Sequence, residues 1–104
     1  MAPDAFERYV ARILARGAQP LGRIENAWHI LDRDGHPALV VVKHIHHEPD
    51  DVLHLDALMV RYHIPRGYLV HPGDFNTPTQ DAAYIFDNIM LVDVDLLEDL
   101  EATP

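Results

Sequence analysis

The sequence predicts a single α/β domain, with a mixed central β-sheet flanked by helices on both faces. Three observations carry this. Apolar residues at helical spacing alternate with short apolar strands in the order α-β-β-β-α-β-α-β-α. Leu39-Val40-Val41-Val42 is apolar on both faces of a strand, which calls for cover on both sides of a sheet. The first strands follow one another through short turns, whereas the last are joined through helices, so the sheet is mixed.

A chain of 104 residues with 48% hydrophobic and 24% charged side chains is enough for one folded domain, residues 1–104, and argues against disorder. The first helix is expected over residues 4–17. Phe6, Tyr9, Val10, Ile13 and Leu14 form its apolar face, Asp4 serves as N-cap with Glu7 completing a capping box, and Gly17 stops it. Arg8, Arg12 and Arg16 stand four apart and make a basic stripe beside that face. A short strand over 21–25 follows, then a hairpin of strands 26–32 and 37–46.

Asp34-Gly35 marks the hairpin turn, because a two-residue type I′ loop needs positive φ at both positions. With those residues as the loop, Arg33 faces His36, Trp28 lies opposite Val41 and Asn26 opposite Lys43. Pro49 and Asp50-Asp51 open a second helix over about 50–62, buried through Val52, Leu55, Leu58, Met59 and Tyr62. Tyr68-Leu69-Val70 is a strand. Thr77 as N-cap, Pro78 and Gln80 start a third helix that runs to about Asp87. Ile89-Met90-Leu91-Val92 is the last strand, and Leu96, Leu97 and Leu100 line a short acidic helix.

The charge balance is acidic: eight Lys+Arg against seventeen Asp+Glu give a net charge of −9. That disfavours nonspecific binding to nucleic acid, whose phosphates reward cationic contacts, while leaving room for a local basic patch. With no cysteine, disulfides, thiolate metal sites and thiol nucleophiles are excluded. The N-terminus shows no signal-peptide pattern and no apolar run has membrane-spanning length, so a cytoplasmic location is expected.

Several stretches resemble the Mrr-like restriction endonucleases, a branch of the PD-(D/E)xK nuclease superfamily. Phe6-Glu7-Arg8-Tyr9 through Leu14 is similar to that family's opening helix, and Val40-Val41-Val42-Lys43-His44 to its Val-x-(Gln/Glu)-x-Lys strand. Gly67-Tyr68-Leu69-Val70-His71 through Phe75 resembles its Gly-x-x-Val-Thr strand and the Phe-Ser/Thr after it. Asn88-Ile89-Met90-Leu91-Val92-Asp93 with Leu96-Leu97 resembles its Ile-x-Leu-Ile-Asp strand and last helix. The resemblance spans nearly the whole chain. It implies a restriction-endonuclease-like fold and Mg²⁺-dependent DNA cleavage, in which carboxylates hold the metal and a lysine assists the attacking water.

Carried over position by position, Lys43 matches the family lysine and Glu7 the acid of the first helix. The two remaining metal-holding positions fall on Val41 and Trp28, which offer no ligand oxygen. The resemblance therefore implies a degenerate member without hydrolytic activity and without a metal or other cofactor. Such a chain would act as an interaction, regulatory or DNA-associated module, as a homodimer or with a protein partner. The rival is an active Mg²⁺ endonuclease built on Lys43 and Glu7 with a relocated carboxylate, Glu25 or Asp32. Arg8, Arg12 and Arg16 are the candidate DNA contacts. His44, His46, His47 and Glu48 are the densest set for a transition metal, with His44 and His46 sharing a strand face, but spacing fixes no third ligand.

Overall fold

The structure is a computed structural model that describes residues 3–15 and 19–103. Its elements are α1 (Pro3–Leu14), β1 (Gly22–Ile24), β2 (Ala27–Leu31), β3 (Pro37–Val42), α2 (Pro49–Tyr62), β4 (Arg66–Val70), α3 (Thr77–Tyr84), β5 (Ile89–Val92) and α4 (Val94–Ala102). This is the expected order. The strands form one sheet in the order β1-β2-β3-β4-β5. β1, β2 and β3 pair antiparallel, and β3, β4 and β5 pair parallel. The switch occurs where the hairpin gives way to helical crossovers, because a parallel strand must return to the same end of the sheet before pairing.

Alternation along β3 divides the core. Ala38 and Val40 join Ile30, Val70, Val92 and Leu97 in a cluster with Val10, Ile13 and Leu14 of α1. Leu39 and Val41 join Leu69 and Ile89 in a second cluster with Val52, Leu55 and Met59 of α2 and Ala83 of α3. The strand that is apolar on both faces is thus buried on both, beneath α1 and α4 on one side and α2 and α3 on the other. Gly67 lets α2 approach β4: a Cβ there would lie 2.6 Å from Met59 Sδ and 3.0 Å from Leu55.

The hairpin departs from the two-residue loop. Trp28 pairs with Val40, His29 with Leu39 and Ile30 with Ala38, and Asp32 N–H donates to His36 O over 2.9 Å. Arg33, Asp34 and Gly35 therefore form a three-residue loop, with Gly35 at φ 83° and its N–H donating to Asp32 O (2.9 Å). This is a turn followed by a left-handed glycine, the common three-residue hairpin. Its cause is Asp32, whose Oδ1 accepts the N–H groups of both Asp34 and His36 at 3.0 Å. Arg33 does not face His36; it donates to the carbonyls of Ile13, Leu100 and Thr103 and ties the loop to α1 and α4. Because side chains alternate, the one-residue shift puts Trp28 and Val41 on opposite faces of the sheet.

Other boundaries also move. α1 begins at Pro3, so Asp4 lies inside the first turn and pairs with Arg8 (3.1 Å) instead of capping. Arg16 and the expected stop at Gly17 lie outside the described residues. β3 ends at Val42, so Lys43 stands just past the strand and His44 and His46 lie in a loop, with no shared strand face. Asn26 sits in the β1–β2 turn, not opposite Lys43. At α3 the N-cap is Asn76, whose side chain accepts from Thr79 N–H at 2.9 Å, one residue before the expected Thr77. Asp93 is the N-cap of α4, accepting from Leu96 N–H at 2.9 Å.

Candidate functional site

Glu7 projects from α1 onto the face of β2 that carries Trp28. It is the centre of a polar cluster on that face. Trp28 Nε1–H donates to Glu7 Oε1 (3.0 Å), and His44 Nε2 donates to Glu7 Oε2 (3.0 Å). Arg23 lies 3.9 Å from Glu7 Oε1, with its guanidinium carbon 4.3 Å above the Trp28 ring. Phe6 meets the His44 ring edge-on at 5.9 Å between centroids. Burial pushes the Glu7 carboxyl up. The hydrogen bonds from His44 and Trp28, with the charges of His44 and Arg23, outweigh it and hold the carboxyl below its ordinary value.

Lys43 points elsewhere. Its Nζ lies 3.3 Å from Asp51 Oδ1, and Asp51 Oδ2 accepts from Glu48 N–H at 2.8 Å to close the first turn of α2. Glu7 and Lys43 are thus engaged on opposite sides of the sheet, one with the α1 face and one with α2. The strand positions sharing the Glu7 face are Val40 and Val42, followed by His44 beyond the strand end. A count along the sequence selects Lys43 as Glu7's companion; the corrected register brings His44 to it.

The alternative carboxylates are occupied too. Glu25, at φ 54° in the β1–β2 turn, accepts from Arg61 (3.2 Å) and Tyr62 (3.1 Å) of α2. Asp32 is buried and sits four residues along β2 from Trp28, about 13 Å at strand rise. Its Oδ1 takes the two backbone N–H groups of the turn, and its Oδ2 accepts from Tyr68 Oη (3.0 Å) and Arg66 Nη1 (3.1 Å). Arg66 Nη1 also donates to Asp34 Oδ2 at 2.7 Å.

Asp32, Asp34 and His36 bring ligand atoms within 4.8 Å of one another. The Arg66 guanidinium already serves those carboxylates as their cation. Burial and the bond to Asp32 push the Tyr68 hydroxyl up to about 12, so it remains a donor. Burial raises the Asp32 carboxyl, but bonds from His36, Tyr68, Asp34 and Arg66 outweigh it and the net direction is down. This cluster is a lock between the hairpin turn and β4, and spacing in the sequence did not reveal it.

The histidines divide. His44 serves Glu7. His47 Nε2 accepts from Asn76 N–H (2.9 Å). His71 Nδ1 accepts from Gly73 N–H, and its Nε2 lies 3.0 Å from Ile45 O, as a donor. The His47 and His71 rings meet at 4.4 Å beside Phe75. Each of these two rings offers one nitrogen to a backbone N–H, which suits tying two loops together. Of the arginine stripe, Arg8 is paired with Asp4, and exposed Arg12 has no carboxylate partner among the described residues. Both line a cleft of about 330 Å³ with Gln19, Pro20 and Trp28.

Mg²⁺ takes hard oxygen ligands in octahedral geometry, with one or two carboxylates as the usual protein share. The Glu7 site offers one carboxylate, with an indole N–H and an imidazole already directed at its two oxygens and a guanidinium nearby. Trp28, Val40 and Val42 supply no oxygen. The residues present do not fit a Mg²⁺ centre.

Fold and site together define a compact α/β domain with a five-stranded mixed sheet flanked by helices, whose most buried carboxylates are saturated by neighbouring donors. Compared with known proteins, the chain matches no family model, no curated protein and no solved structure. No helix among the described residues is long and apolar enough to cross a membrane.

Proposed function

We propose that the chain is a degenerate restriction-endonuclease-like domain that has lost metal-dependent DNA cleavage and works as an interaction or regulatory module. The observation that carries this is the state of Glu7. Among the described residues it is the one carboxylate hydrogen-bonded to Trp28, and both of its oxygens are taken, by Trp28 and His44 at 3.0 Å. The αβββαβ order, with an antiparallel meander leading through a helical crossover to a parallel strand, supports the fold assignment. The rival endonuclease would need Lys43 and Glu7 to converge with Glu25 or Asp32. Those four side chains serve four separate contacts, with Asp51, Trp28 and His44, Arg61 and Tyr62, and Arg66 and Tyr68.

Incubation of the protein at high concentration with plasmid and branched DNA and either Mg²⁺ or Mn²⁺ tests this. No cleavage is expected. Cleavage that disappears in Lys43→Ala or Glu7→Gln overturns the proposal.

A second role, DNA association without cleavage, is favoured by one observation: Arg8, Arg12 and Arg23 gather around Trp28 in a chain that is acidic overall. DNA retention that falls steeply with salt and is lost in the Arg8→Ala/Arg12→Ala/Arg23→Ala triple variant would establish it. Retention unaffected by that variant would exclude this surface.

A further inference from the structure

The two edges of the sheet are protected unequally. β1 is three residues long, carries Arg23 and is followed by Glu25 in a left-handed conformation. Short length, charge and a sharp turn all discourage pairing with another strand. β5, Ile89-Met90-Leu91-Val92, has neither charge nor proline. At the two ends of its ladder with β4, the carbonyls of Asn88 and Val92 accept from Gly67 N–H (2.9 Å) and His71 N–H (3.1 Å). Alternation along a parallel ladder turns the N–H and C=O groups of Ile89 and Leu91 toward the open side. Apolar surface gathers beside them: Tyr84 is 91% exposed, Ile85 76% and Met90 50%. An open groove of about 850 Å³ runs past Tyr68, Tyr84, Phe86, Met90 and Leu91.

Charge selects the occupant. No Lys, Arg or His follows His71 in the sequence. Asp87 and Asp93 bracket β5, and the neighbouring α3 and α4 add Asp81 and Asp95. The one arginine in the groove, Arg66, is held by Asp32 and Asp34. A second copy is a poor match: antiparallel pairing of two β5 strands centred on Met90 sets Asp87 of one copy against Asp93 of the other, and like charges directly opposite destabilise a ladder.

We propose that the β5 edge binds an extended, cationic segment of a protein partner, added as a sixth strand. Backbone bonds to Ile89 and Leu91 would hold it, its alternate apolar side chains would cover Met90 on one face, and the cationic side chains between them would lie on the Tyr84 and Phe86 face. This deepens the assignment of the domain as an interaction module and rests on it.

The test uses three synthetic probes of about ten residues: alternating valine and lysine, the same peptide with alternate backbone amides methylated, and alternating valine and glutamate. Binding is read by fluorescence anisotropy, and the site by amide hydrogen exchange. The lysine peptide is expected to bind and to slow exchange at Ile89 and Leu91. Methylation, the glutamate series and Met90→Lys should each weaken binding by about tenfold or more, the folded state of the variant being checked by circular dichroism. Equal binding of the methylated peptide, protection away from β5, or no binding overturns the proposal. So does self-association, seen by sedimentation, that protects β5 without peptide. DNA cleavage by the same preparation would overturn the loss of nuclease activity without touching strand addition. Failure of the lysine peptide to bind would do the reverse.

Discussion

Asp32 contributes more to the structure through one side chain than any other acidic residue described. Its carboxylate organises the hairpin loop through two backbone N–H groups and fixes the loop to β4 through Tyr68 and Arg66. Replacing Asp32 by Ala leaves those donors without their acceptor in a buried place, and a loss of about 3 kcal/mol in urea unfolding is expected. The sign of the pH effect follows from the depressed folded-state pKa. The contribution is complete above the ordinary aspartate value of about 3.9 and fades as pH falls through the lower folded value. The stability gap between wild type and Asp32→Ala should therefore narrow below about pH 4. Lys43→Ala should cost less than about 1 kcal/mol, because the pair with Asp51 is partly exposed to solvent. A larger loss in thermal unfolding would give Lys43 a weight that this contact does not explain.

At the scale of elements, the hairpin shows what the sequence disclosed and what it hid. The strands and the sharp turn were legible, because alternation and Asp34-Gly35 mark both. The loop length was not. An Asp-Gly pair fits a two-residue loop, and also a three-residue loop in which only the glycine is left-handed. Asp32 decides between them by accepting two N–H groups, a contact its side chain can make only once the chain has turned. One residue of shift sends Trp28 and Val41 to opposite faces and exchanges Lys43 for His44 beside Glu7. Gly35→Ala, at φ 83°, should cost about 1–2 kcal/mol, measured by denaturant unfolding.

Two other loops meet where His47 accepts the Asn76 N–H and touches His71. Burial, and the His71 charge beside it, push the His47 pKa down, while Asp51 pulls it up less. Residues 29 apart in sequence make this contact, so no local pattern announces it. A lowered histidine pKa means that the unfolded chain binds the proton more readily. Stability is then complete above the ordinary value of about 6.5 and declines as pH falls through the folded value. Thermal unfolding should show a steeper loss between neutral and mildly acidic pH in wild type than in His47→Gln.

The whole molecule follows from strands that are apolar on both faces and helices that cover them. That much was readable from periodicity alone, and the order of the nine elements among the described residues agrees with it. Close packing of the layers depends on small residues at the contacts. Gly67→Ala, which sets a methyl against Met59 and Leu55, should cost about 1–3 kcal/mol in thermal or denaturant unfolding. The candidate site was legible only in part. Glu7 was singled out from the sequence, but its partners depend on a register that local signals placed one residue away, and the Asp32 lock depends on β4 coming beside β2's turn.

We propose that a nuclease-like fold has here exchanged its metal ligands for packing and internal hydrogen bonds. The most direct test is plasmid incubation with Mn²⁺ at high protein concentration, wild type beside Glu7→Gln and Lys43→Ala. Intact supercoiled DNA is expected in all three. Nicking or linearisation by wild type, abolished in either variant, would contradict this proposal.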